Sequence, residues 1–173
     1  MKGHWKYFTL GAIIIICQIL ISEYVNIWTL LYIAIFPQFI ILLPPMTNRS
    51  LYMVIAFVLG LGIDLFADGV PGLNAAALVA MAYSRPAIMN LIFSKSNFEN
   101  TENTPLIPRY IEIHKLFILN LLMLAVFFTV YILIDSAASF PFWYTILGIV
   151  ACVVANTVIS MVCSSVLLNK ILS

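Results

Sequence analysis

Six long apolar runs, set off by short polar breaks, make up most of this chain of 173 residues. Apolar residues follow one another within each run. The every-second-residue alternation of a membrane barrel strand is absent, so the runs predict helices. They place helix 1 at 7–23, helix 2 at 27–43, helix 3 at 51–66, helix 5 at 110–134 and helix 6 at 142–168. Helix 4 starts near Leu73 and meets Arg85-Pro86, after which 87–93 either continues the helix or lies along the interface. The first run follows Lys2, His4 and Lys6 in the manner of a secretory leader, but Ser22-Glu23-Tyr24 offers no small-residue cleavage site. It therefore reads as a spanning helix. Pro37 is expected to kink helix 2, and Pro44-Pro45 to end it. Residues 94–109, rich in Ser, Asn, Glu, Thr and Pro, read as a loop.

Composition moves this pattern into a membrane. The chain is 64% hydrophobic and 9% charged, against about 25% charged residues in a soluble domain. In lipid each spanning segment must satisfy its own backbone, which selects helices. The eight basic residues (Lys2, Lys6, Arg49, Arg85, Lys95, Arg109, Lys115 and Lys170) fall at the N-terminus, the 2–3 turn, the 4–5 region and the C-terminus. The alternate turns carry Glu23, Asp68 and Asp135 instead. Lys and Arg are retained on the cytoplasmic side. Six transmembrane helices in one bundle over 1–173, with both termini cytoplasmic, satisfy this without exception. Net charge is +1 with no basic cluster, so nothing points to nucleic acid.

Chemistry is concentrated between Gly60 and Pro86. Asp64 is an ionisable residue inside an apolar run, where such groups face a cavity, a partner or the bundle interior. Asp68 follows four residues later and would share its face if the helix continued. The other reading of Asp64 is a cap on the corner between helices 3 and 4. Gly60 and Gly62 permit close helix approach, as do the alanines of helix 4. Gly69, Pro71 and Gly72 punctuate the break before Leu73 and Asn74. Gln18, Gln38, Asn74, Asn120 and Asn156 are expected to hydrogen-bond across helices, each contributing about 0.6 kcal/mol. The three cysteines lie in apolar runs without metal-site spacing. Glu112 and Lys115 are spaced to pair, and His114 beside them reads as interfacial. Trp5, Trp28 and Trp143 mark span ends. Asp64 and Asp68-Gly69 superficially match lipid-headgroup phosphotransferases, but the spacing is one residue too long and the following Ala-Arg is missing. With no nucleophile, metal or nucleotide motif, no enzyme and no cofactor are expected.

The stretch Gly60-Leu-Gly62-Ile-Asp64-Leu65-Phe66, followed by Pro71-Gly72-Leu73-Asn74-Ala75-Ala76, resembles the MreD family of bacterial rod shape-determining membrane proteins. Length, helix number and inside termini extend the resemblance loosely over the chain. Asn74 departs from it, standing where a His is common, and keeps a donor and an acceptor without a titratable ring. The resemblance implies a fold like the substrate-binding subunits of energy-coupling-factor transporters, placed in the cytoplasmic (inner) membrane. It implies a non-enzymatic scaffold of the cell-elongation complex, supporting cell shape and peptidoglycan synthesis. The partners would be an MreC-like single-span protein and, through it, MreB, RodA and a transpeptidase, with membrane lipid around the bundle. A homodimer is left open. Gly60, Gly62, Asp64, Asp68, Pro71, Gly72, Leu73, Asn74 and Arg85 are the candidate partner- or ligand-binding residues.

A second reading gives the same fold a different use, as the small-molecule-binding membrane subunit of a vitamin transporter. Such a subunit docks its energising partner on small residues of an early helix. The bulky Ile13-Ile14-Ile15-Ile16 of helix 1 argues against it.

Overall fold

A computed structural model describes residues 2–24, 32–43, 48–68, 70–93, 112–135 and 141–165. The expected loop 94–109, the first part of helix 2 (27–31, with Trp28), the Pro44-Pro45 expected to end it and the end of helix 6 lie outside the described residues. So do the side chains of Trp5 and Asp68. Among the described residues every regular element is helical. They are α1 (Lys2–Tyr24), α2 (Pro37–Leu42), α3 (Arg49–Ile63), α4 (Leu73–Ile92), α5 (Ile113–Asp135) and α6 (Phe142–Cys163). A π-helical turn, Asp64–Asp68, continues α3. Four segments are long and apolar enough to cross a membrane: Arg49–Phe66, Leu73–Ile92, Ile113–Asp135 and Phe142–Cys163. This is an all-helical, multi-pass membrane protein.

The helices follow one another in space. α3 packs on α4, α4 on α5, and α5 on α6, while α1 touches α2, α3 and the π turn. Gly60 makes the α3–α4 contact a tight one. A β-carbon at that position would stand 2.5 Å from the Cα of Ala75, so only glycine lets α3 meet the start of α4. Leu51, Val54 and Val58 of α3, and Trp143, Leu147, Val150, Val154 and Val158 of α6, are exposed at helical spacing. In lipid such faces need no cover.

Helix 2 departs from expectation. Residues 32–35 are not helical, and Pro37 begins a helix instead of kinking one. Proline suits that first position because its missing N–H would have no intrahelical acceptor there. All six residues of α2 are buried. Rings hold the non-helical stretch against α5, with Tyr32 stacked on Tyr131 at 4.8 Å and Phe36 edge-on to Phe127 at 5.5 Å. Pro86, by contrast, lies within α4, which runs on to Ile92. Of the two sequence readings of 87–93, the continuing helix is the one formed.

Candidate functional site

The Asp64 corner is built by a cap supplied from the neighbouring helix. α4 begins after Gly72, whose φ of 94° is a left-handed conformation suited to glycine. Gly72 has no side chain with which to cap the free N–H groups of α4. The Asp64 carboxylate does so from α3. Its Oδ2 accepts from the backbone N–H of Gly72 at 2.9 Å and of Ala75 at 3.2 Å, and its Oδ1 from that of Asn74 at 2.8 Å. Asp64 is 1% exposed. Three donors and the positive end of the helix dipole compensate a carboxylate buried at that depth. The capping reading of Asp64 is therefore the geometry found.

The remaining sequence candidates divide around this cap. Gly60 lies inside the α3–α4 contact, while Gly62 faces open space. Leu73 and Asn74 are buried, and Pro71 is exposed. Leu65, Phe66 and Val70, 64%, 70% and 53% exposed, form an apolar rim around the capped corner. Arg85 is not part of it and lies toward the opposite end of α4.

Arg85 is buried against the end of α2. Its Nη2 donates to the carbonyls of Ile41, at 3.3 Å, and of Leu43. Its guanidinium lies 4.6 Å from the centre of the Tyr52 ring. Arg49 makes the reciprocal arrangement on the outside of the same two helices. It stands 3.7 Å from the centre of the Tyr83 ring and donates to the Tyr83 carbonyl at 2.8 Å. α3 thus sends an arginine to a tyrosine of α4, and α4 sends one back. Neither tyrosine stands out in the sequence by itself; the signal for the pairing is the Arg49/Tyr52 and Tyr83/Arg85 pattern at the facing ends of two antiparallel helices.

Two of the polar residues expected to hydrogen-bond across helices, Gln18 and Asn156, converge on the break before α2. Gln18 of α1 donates to the Ile33 carbonyl at 3.0 Å and accepts from the Ile35 N–H at 2.8 Å. Asn156 of α6 donates to the Tyr32 carbonyl and accepts from the Ala34 N–H, both at 2.8 Å. The extended segment thus has an amide on each edge, each standing in for a neighbouring strand. Beyond it Gln38 bonds Ser160 and Ser164, and Ser160 bonds Asn120.

An apolar groove of about 530 Å³ opens between α3 and α4, with Gly72 and Ala75 at one end and Tyr83 at the other. Among the described residues no three His, Cys, Asp or Glu side chains cluster as a metal site. Glu112 and Lys115 form their expected pair at 3.1 Å, and His114 beside them is exposed. No disulfide joins the three cysteines. No protein-family model, curated protein or solved structure matches this chain.

Proposed function

We propose that this protein is a non-enzymatic scaffold of a bacterial cell-elongation complex, of the MreD type, in the cytoplasmic membrane. In this reading six helices cross the membrane with both termini inside, in the fold of energy-coupling-factor substrate-binding subunits. The Asp64 corner receives the juxtamembrane part of an MreC-like single-span partner, which links it to MreB, RodA and a transpeptidase. One observation carries the reading: an internally capped corner that presents Leu65, Phe66 and Val70 outward. An apolar rim on a preorganised turn loses little entropy on docking. Asp64 then serves the partner indirectly, by holding the rim.

The test is co-purification of the C-terminally tagged protein from its native host in mild detergent, read by mass spectrometry. An MreC-like protein or elongation enzymes are expected. Leu65→Ala with Phe66→Ala should lower their recovery by roughly tenfold at unchanged expression, as for a pair of interface anchors. Equal recovery from the double variant sinks the corner as the docking site. Recovery of a transporter ATPase pair and its coupling subunit instead assigns the fold to uptake.

A further inference from the structure

The groove between α3 and α4 has a cation at its mouth. Met53, Phe57, Ala76, Val79 and Ala80 line it between Gly72 and Tyr83. Arg49 stands over the Tyr83 end, on the same face of α3 as Met53 and Phe57 at spacings of four. Arg49 is exposed, and its first helical turn carries no acid. Arg85, one helix surface away, is a second guanidinium whose partners are carbonyls and a ring. Its Nε has no hydrogen-bond partner among the described residues. This end of the helix pair therefore holds two positive charges and, among the described residues, no carboxylate in ion-pair contact with either.

We infer that the groove binds one anionic phospholipid, its phosphate on Arg49 and one acyl chain lying along Met53, Phe57 and Ala76. Three observations select this occupant. The exposed charge at the mouth is complementary to a phosphate, and arginine binds phosphate through a planar fork of donors. From Tyr83 to Gly72 the groove runs about 16 Å along α4, close to the depth of one leaflet in a hydrocarbon core of about 30 Å. A partner's spanning helix would cross both leaflets. The wall residues are apolar throughout, as a chain of methylenes requires. By the positive-inside rule Arg49 marks the cytoplasmic side, so the lipid belongs to the cytoplasmic leaflet, where anionic headgroups draw basic residues. This inference does not depend on the scaffold reading.

The experiment is native mass spectrometry of the full chain in detergent with added phosphatidylglycerol or phosphatidylcholine of identical acyl chains. The wild type should retain one phosphatidylglycerol in preference to phosphatidylcholine. Arg49→Gln, at an exposed position, should reduce phosphatidylglycerol retention about fivefold and abolish the preference. Ala76→Phe, which puts a ring into the groove from an exposed lining position and leaves the charge, should reduce retention of both lipids. Equal retention of the two lipids by the wild type overturns the inference, as does unchanged retention by either variant. Photo-crosslinking from position 76 in native membranes gives an independent reading. A lipid adduct supports the assignment, and a protein adduct replaces the lipid with a partner helix.

Discussion

The Asp64 corner and the break before α2 meet the same difficulty with different chemistry. Both leave backbone polar groups without helical partners in the buried interior of the protein, away from water. At the corner the unpaired groups are the N–H groups around the start of α4, all donors, and one carboxylate accepts three of them. Before α2 the chain is extended, and each edge offers a donor and an acceptor together. A carboxylate there would face a carbonyl. Only an amide, with one oxygen and one NH₂, matches both, and Gln18 and Asn156 supply one to each edge. The end of α2 completes the set: its free groups are carbonyls, all acceptors, and Arg85 donates to two of them. The polarity of the broken backbone thus selects an acid, an amide or a base.

Exchange of the chemistries gives the sharpest tests of this contrast. Asn156→Asp should have the largest effect, because a carboxylate would be buried against the carbonyls of Tyr32 and Cys152. A loss of about 3 kcal/mol or more is expected, read as a collapse of the thermal midpoint in detergent or of monodisperse yield. Asp64→Ala should follow closely, leaving three N–H groups without their acceptor. Asp64→Asn, which keeps one acceptor oxygen, should lose about half as much. Tolerance of Asn156→Asp equal to that of Asp64→Asn would break the comparison. Gly62→Ala should have the smallest effect. A β-carbon there meets nothing within 4 Å, so stability should hold or rise by up to about 1 kcal/mol. The same thermal measurement checks it and separates Gly62 from Gly60, where the added carbon would strike α4.

Much of the fold was legible along the chain because lipid imposes a local rule: an apolar run must be helical and of spanning length. α3, α4, α5 and α6 answer to that rule directly. The Asp64 corner was partly legible for a related reason. Asp64, Gly72 and Asn74 lie within eleven residues of one another, so a capping acid and a left-handed glycine read as local punctuation. Gly60 and Gly62 were indistinguishable, since both satisfy a small-residue pattern and only the position of Ala75 separates them.

What sequence alone determined was where the chain is apolar, where it must turn and which ends carry basic charge. Each depends on a residue and its near neighbours in a solvent that accepts no bare backbone. Tertiary structure decided which polar residues meet. Gln18 and Asn156 are 138 positions apart and clasp one four-residue segment because α1 and α6 flank it. Pro37 starts a helix instead of bending one because that clasp lets the preceding residues remain extended. Hydrogen bonds between distant segments leave no periodic trace in a sequence, since their geometry exists only once the helices have packed.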